Sequence, residues 1–267
     1  MRQLSEGLWV QAVRSPTLPP ATHTNAWVLG EDHVTVIDPA SPWADEQQRL
    51  ADALRGRTVS RIFLTHHHHD HVSGAQDLRE RTGAPIVAHP HTADKVPFDV
   101  DETVDEGFTV ETAAGSWRAL HTPGHARGHL CLLRGDGYLV AGDMVAGVGT
   151  ILLEPPEGDL GDYLASLDRL IQTGAHTLLP AHGPEITPAD AYLRHYIAHR
   201  HQRTDQIRAA LAERAVPSTA AELVPLVYTE VPQVVWPIAA RQVLCHLRWL
   251  REQGTVASDG DDRFTLA

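Results

Sequence analysis

Short apolar runs separated by turn residues fill the first two thirds of the chain, and a helical repeat of apolar positions takes over in the last third. Ala26-Trp27-Val28-Leu29-Gly30 and Val34-Thr35-Val36-Ile37-Asp38 predict two strands about a tight Glu31-Asp32 turn, with Asp38-Pro39 closing the second. Trp43, Gln47, Leu50 and Leu54 recur at helical spacing, so residues 44–54 predict an amphipathic helix. Val59-Ser60-Arg61-Ile62-Phe63-Leu64 reads as a buried strand, residues 75–81 as a helix and Ile86-Val87-Ala88-His89 as a short strand. Residues 109–112 with 117–121, and 130–134 with 138–141 about Gly135-Asp136-Gly137, predict two further hairpins. Tyr163, Leu164, Leu167, Leu170 and Ile171 mark one side of a helix over 162–173, and Thr177-Leu178-Leu179-Pro180 follows as a strand.

The last third reads differently. Thr187-Pro188 predicts an N-cap followed by proline at the first helical position, opening a helix that runs to about Arg214. Residues 219–227 and 235–253 predict two more helices, the second ended by Gly254. Thr255-Val256-Ala257 and Arg263-Phe264-Thr265-Leu266 flank Asp259-Gly260 as a hairpin. Helices followed by a small hairpin predict a winged-helix module, dividing the chain into residues 1–187 and 188–267.

The densest polar feature is Thr65-His66-His67-His68-His69-Asp70-His71, between the strand that ends at Leu64 and the helix that opens after Ser73-Gly74. The carboxyl end of a strand is where α/β folds place ligands. If the chain leaves the strand extended, His66 and His68 share a side and grip one metal ion. Asp70 and His71, further round the turn, then face a neighbouring ion, whereas His67 and His69 point away and carry no ligand role. A solvated polyhistidine run explains neither the internal position nor the strand feeding it. Imidazole suits Zn, Fe and Ni. The same pattern of a strand ending in a His or Asp beside a glycine recurs at Gly124-His125, Gly142-Asp143 and His182-Gly183. His89 and His91, beside Pro90, are expected to be surface histidines.

Composition sets bounds on this picture. With 267 residues and 42% hydrophobic content, the chain buries a full core and accommodates one large domain plus a small one. The net charge of −12 falls within residues 1–185, since residues 186–267 hold nine Arg and nine Asp or Glu. Bound divalent ions would offset some of that acidity. The acidic first part and the acidic wing tip (Asp259, Asp261, Asp262) weigh against nucleic-acid binding, although the arginines of residues 189–214 and Arg241, Arg248 and Arg251 pull the other way. Cys131 and Cys245 lie far apart in apolar segments and read as buried thiols. Lys95 is the only lysine, so the active-site loops are expected to lack a lysine anchor. Residues 1–10 show no apolar signal core and no stretch is long enough to span a membrane, so a cytoplasmic enzyme is expected.

The set His66, His68, Asp70, His71, His125, Asp143 and His182 resembles the metallo-β-lactamase superfamily, whose motif is His-x-His-x-Asp-His followed by distant His, Asp and His. The resemblance covers about residues 20–185 and implies an α/β fold, an αββα sandwich, followed here by the small helical winged-helix domain. It implies that His66, His68 and His125 hold one ion, Asp70, His71 and His182 a second, and that Asp143 bridges them. In Thr-Pro-Gly-His-x-x-Gly-His the first histidine is the family's ligand, which selects His125 and leaves His129 a supporting role. The implied cofactor is two Zn2+ per chain, with iron or manganese as alternatives. Two ions about 3.5–4 Å apart share one water and stabilise attacking and leaving oxygens. Zinc lowers the pKa of its water to about 7, giving a bridging hydroxide that Asp70 orients as the catalytic carboxylate.

Within the family, several branches fit poorly. Oxygen-reducing di-iron members carry a glutamate where His68 stands, and a flavin domain. Secreted lactamases carry an export signal, the polyadenylation-factor nucleases a large inserted domain, and glyoxalase II a helical glutathione site at its C-terminus. Pro180-Ala181-His182-Gly183-Pro184, Tyr196-Ile197-Ala198-His199-Arg200 and His246-Leu247-Arg248-x-Leu250-x-x-x-Gly254 look like the lactamase-beta-2-like group, which joins this catalytic domain to a winged-helix tail. The segment Pro19-Pro20-Ala21-Thr22-His23-Thr24-Asn25 follows that group's N-terminal loop only loosely. The resemblance implies a hydrolase of thioester, ester or phosphodiester bonds, acting on a small-molecule or carrier-bound acyl substrate or on single-stranded RNA. The alternatives are a mononuclear iron dioxygenase acting on persulfides, which shares the histidine motif, and a DNA-binding regulator with a vestigial enzyme domain, which the full set of seven ligands disfavours.

Overall fold

The structure is a computed structural model and describes residues 1–260 and 262–267. Asp261 of the acidic wing tip lies outside the described residues. In chain order the elements are β1 (Arg2–Ser5), β2 (Leu8–Arg14), β3 (His23–Gly30), β4 (His33–Ile37), α1 (Ala44–Ala53), β5 (Thr58–Leu64), α2 (His69–Val72), α3 (Ala75–Thr82), β6 (Ile86–Ala88), α4 (Pro90–Ala93) and β7 (Glu102–Thr103). There follow β8 (Thr109–Thr112), β9 (Gly115–His121), β10 (Leu130–Arg134), β11 (Tyr138–Gly142), α5 (Leu160–Gln172) and β12 (Thr177–Pro180). The chain closes with α6 (Ala189–Arg214), α7 (Ala220–Val227), α8 (Trp236–Glu252), β13 (Val256–Ser258) and β14 (Phe264–Leu266).

Strands β1 to β7 form one sheet in sequence order, antiparallel up to β4 and parallel from β4 to β7. The second sheet runs β12-β11-β10-β9-β8, with only β11 and β12 parallel. Alternation along the strands assigns the faces. Trp27, Leu29, Ile37 and Phe63 meet Trp117, Leu130, Leu132 and Val140 between the sheets. Ala26, Val28, Ile62 and Leu64 point the other way and are covered by Leu50 of α1 and Leu78 of α3. Cys131, Leu139 and Leu178 on the outer face of the second sheet are covered by Leu167 and Leu170 of α5 and Leu193 of α6. Full burial of a side chain such as Phe63 or Leu29 contributes about 1.5–3 kcal/mol, which fixes this two-faced register. The result is the expected αββα sandwich.

Two seams close the sandwich at one edge. Asn25 N donates to Ala181 O at 2.8 Å, and Leu130 N donates to Thr65 O at 2.9 Å. They draw together the carboxyl ends of β5, β11 and β12 and the β9–β10 connection.

The tail has its own core, in which Ile207, Leu211, Leu223, Val243, Leu247 and Phe264 are buried. Thr219 and Glu222 form a reciprocal cap that opens α7. The start of α6 departs from expectation. Pro188 itself is the extended cap residue (φ −77°, ψ 141°), one position later than the sequence suggests. The Thr187 hydroxyl is instead paired with that of Thr177 at 2.9 Å, so it is taken up in holding the helix start against β12. Both cysteines are buried and free, and burial pushes each thiol up to about 12. Among the described residues no helix is long and apolar enough to cross a membrane.

Candidate metal centre

The centre is built outward from Asp38, at the end of β4. Its Oδ1 accepts from Thr65 N (2.8 Å), and its Oδ2 accepts from Thr65 Oγ1 (2.6 Å) and His71 Nδ1 (2.8 Å). These bonds hold the bend at the end of β5 from which the histidine run leaves the strand. The short helix α2 then carries Asp70 and His71, with His68 as its extended cap residue.

The hydrogen bonds assign the imidazole tautomers, and they all point the same way. Thr65 Oγ1 donates to Asp38, so at 3.1 Å it accepts from His66 Nδ1 and leaves His66 Nε2 bare. His125 Nδ1 donates to Leu152 O at 2.8 Å and His182 Nδ1 to His23 O at 3.1 Å, so both Nε2 atoms are likewise bare. His71 Nδ1 is committed to Asp38. The inward-facing nitrogens converge. His66 Nε2, His68 Nδ1 and His125 Nε2 lie 2.9–3.2 Å from one another. Asp143 Oδ2 stands 3.4 Å from His125 Nε2, and its Oδ1 stands 3.5 Å from His71 Nε2 and 3.4 Å from His182 Nε2. Asp70 Oδ2 completes the ring at 3.4 Å from His182 Nε2.

This donor set fits cations. Nitrogens held at 2.0–2.1 Å around one tetrahedral zinc lie about 3.3 Å apart, close to the spacing of the three imidazoles. His71 Nε2 and Asp143 Oδ1 are buried without a hydrogen-bond partner, which is costly unless something positive faces them. Two groups therefore form, His66, His68, His125 and Asp143 on one side and Asp70, His71 and His182 on the other, with Asp143 reaching both.

The electrostatics are those of a site awaiting charge. Burial, reinforced by neighbouring imidazoles, holds His66 well below the ordinary range and takes His68 down to about 2. His71 moves up well above it, because the carboxylates of Asp143, Asp38 and Asp70 outweigh its burial. In the metal-free protein a proton on His71 stands where a cation would relieve the same carboxylates. Burial would raise Asp70, but the charge of His71 and the bond from His182 hold it below the usual carboxylate range.

His129 stays out of the ring. Its Nε2 accepts from Asp143 N at 3.0 Å and its Nδ1 meets Thr122 Oγ1 at 2.8 Å, so it fixes the backbone that presents Asp143. His67 and His69 join neither group. Gly124, before His125, has φ +129°, and a Cβ there would sit 2.3 Å from the backbone of Tyr163, so only glycine lets α5 pack against this turn.

One sequence expectation is corrected. His89 is buried, not at the surface. Its Nδ1 accepts from His91 N at 3.1 Å to cap α4, its ring stacks on His121 at 4.5 Å, and its Nε2 lies 3.4 Å from Asp105. The cap occupies the Nδ1 lone pair, so Nε2 carries the proton and faces the carboxylate as a donor, which disfavours a third ion on these residues. Lys95 pairs with Glu157 at 3.0 Å. Glu157 lines a cavity of about 380 Å³ with His91, His121 and Arg127.

Sequence reasoning passed over Asp38, Thr65 and Asn25. Asn25 Nδ2 donates to Pro180 O (3.0 Å) and Gly183 O (2.8 Å), holding the turn that carries His182. The one available signal was that Asp38, like Asp143, is a polar residue ending a strand.

Comparison with known proteins follows the same lines. The sequence pattern of the metallo-beta-lactamase superfamily matches residues 19–182, and that of the beta-lactamase associated winged helix domain matches residues 219–264. A beta-lactamase-like protein 2 homolog of Drosophila melanogaster is 31% identical over 94% of this chain and 90% of its own length. An atrochrysone carboxyl ACP thioesterase of Aspergillus aculeatus is 31% identical over 88% of this chain and 77% of its own. A metallo-beta-lactamase family protein from Thermus thermophilus, of known structure, superimposes with a TM-score of 0.82 at 26% identity over 98% of this chain and 99% of its own.

Proposed function

The chain belongs to the metallo-beta-lactamase superfamily and is a metallohydrolase, and from that premise we propose that it hydrolyses the thioester of a carrier-bound acyl substrate at a dinuclear zinc centre. His66, His68 and His125 would hold one ion, and Asp70, His71 and His182 the other, with Asp143 within reach of both groups. The observation that carries this is the imidazole orientation: four imidazoles spend Nδ1 on protein or carboxylate oxygens and turn Nε2 inward, the atom each would offer to a metal. When bound, two such ions supply an activated water at neutral pH and polarise the carbonyl under attack. Asp70, held ionised, would accept a hydrogen bond from the attacking water, orient it and take part in the proton transfer, and the thiol would leave as thiolate with little need for an acid.

The thioesterase name of the Aspergillus relative supports the acyl substrate, and the charge of −12 speaks against a polyanion such as RNA. The division at residues 187 and 188 belongs to the same proposal. The separate core around Ile207, Val243 and Phe264 supports a second unit, with α6 shared, since Leu193 and Tyr196 lie in the core of the first.

The test is metal content of protein purified without added metal, together with hydrolysis of a chromogenic thioester and of a short single-stranded RNA. Two zinc ions per chain and thioester turnover are expected. RNA cleavage without thioester turnover would overturn the substrate, and one iron per chain with oxygen uptake on glutathione persulfide would overturn the hydrolysis.

A further inference from the structure

The motif Tyr196-Ile197-Ala198-His199-Arg200 has no part in the chemistry above, yet it lies against the loop that supports it. Residues 143–159 run from Asp143 to the start of α5, and the tail helices hold them at several backbone and side-chain points. Tyr196 OH accepts from Ala146 N (3.0 Å) and Tyr192 OH donates to Ala146 O (2.8 Å), next to Gly147, whose N donates to His182 O (2.7 Å). Arg200 Nη2 donates to Ile151 O (2.6 Å), Gln242 Oε1 accepts from Leu153 N (2.9 Å), and Arg241 pairs with Glu154 (2.6 Å). Leu152 is thus anchored on both sides, and Leu152 O is the acceptor for His125 Nδ1.

Arg200 is an odd choice for packing alone. It is 3% exposed, no carboxylate among the described residues pairs with it, and its charge meets only the Ile151 carbonyl and the face of Tyr163 at 5.1 Å. An aliphatic side chain would fill that space without desolvating a charge. Gln242 is similar, buried with its Nε2 unpartnered and only its oxygen in use. In each case the polar atom in use grips the backbone beside Leu152.

We infer that Arg200 and Gln242 are positioning residues for the metal centre, fixing from the tail the carbonyl that orients His125. The tail is then part of the centre's outer support and not an appended module. This rests on the ligand assignment proposed above. An outer partner of a metal-bound histidine sets its ring orientation and basicity, and its loss costs about 10–100-fold in metal affinity.

The experiment compares the full chain with Arg200→Met, Gln242→Asn, Gln242→Glu and Val243→Ala. Zinc affinity is read by competition with a chromophoric chelator, cobalt(II) absorption reports ligand geometry, and metal-free thermal midpoints report folding. Gln242→Asn keeps the amide but shortens its reach, and Gln242→Glu keeps an acceptor for Leu153 N. Arg200→Met and Gln242→Asn are expected to weaken zinc binding by about 10–100-fold and alter the cobalt spectrum, with Gln242→Glu close to the parent. Val243→Ala, which trims the tail's own core, should lower the midpoint without changing affinity. If Arg200→Met does not fold, Gln242→Asn against Gln242→Glu decides alone. Unchanged affinity in Gln242→Asn, or equal loss in Val243→Ala, overturns the inference while the ligand assignment stands. A parent protein that takes up no zinc overturns the assignment itself and this inference with it.

Discussion

The carboxylate of Asp38 accepts a hydrogen bond of 2.8 Å from Nδ1 of His71, 33 positions away. One side chain thereby sets both the turn at the end of β5 and the ring that faces Asp143. Asp38→Ala leaves Thr65 N, Thr65 Oγ1 and His71 Nδ1 buried without an acceptor and puts alanine at φ +48°. At about 1–3 kcal/mol for each of the three orphaned donors, a loss of about 3 kcal/mol or more in urea unfolding is expected. Asp38→Asn, which tolerates the backbone angle and keeps one acceptor, should lose less than half of that.

Asp70→Ala should separate chemistry from folding. Asp70 is only partly buried, and although it repels Asp143 it is held more strongly by His71 and His182, so its loss costs the metal-free fold a modest amount. Thioester kcat/KM is expected to fall about 10²–10⁴-fold, the range for losing a positioned base, while the metal-free thermal midpoint falls by only a few degrees. A midpoint that collapses along with activity would show Asp70 to be a structural residue.

Removing metal should cost both activity and stability. Ions that bind the native state alone add about 2.7–4.1 kcal/mol when present at 100 to 1,000 times their dissociation constant. Prolonged dialysis against a chelator is therefore expected to abolish thioester hydrolysis and lower the midpoint by several degrees, with zinc restoring both. Turnover that survives complete stripping would contradict the mechanism.

His246 gives the tail an acid limit. Burial, helped by Arg200, Arg203, His199 and His201, takes its imidazole down to about 3, and its Nδ1 meets Thr204 Oγ1 at 2.8 Å. The unfolded chain takes up a proton near pH 6.5 and the folded one does not. Stability from this residue is therefore complete above that pH and lost as pH falls from about 6.5 toward 3. Between pH 7 and pH 5 the loss is about 2 kcal/mol. Replacing His246 with Gln should flatten that part of the pH profile in urea titrations, and an unaltered slope would rule the residue out.

Period-two patterning showed most of the strands in the sequence because each buries two different faces, as Trp27 and Val28 do. The seven candidate ligands were visible because histidines and aspartates at strand ends are a poor use of packing positions. What stayed hidden depends on distant partners. His89 looks like a loop histidine beside Pro90, and its burial comes from His121, which only the second sheet brings near. Asp38-Pro39 reads as a turn until Thr65 and His71 arrive. Thr187 reads as a helix cap because nothing local reveals Thr177.

The two seams that close the sandwich join residues far apart in the chain, Thr65 with Leu130 and Asn25 with Ala181. Contacts so remote raise the folding barrier, since chain closure must come before they contribute. The convergent imidazoles are expected to complete their ring only beyond that barrier. Bound metal would then act as a kinetic latch: in a chevron plot it should lower the unfolding limb and leave the refolding limb where the metal-free chain puts it, and a faster refolding limb would contradict this order.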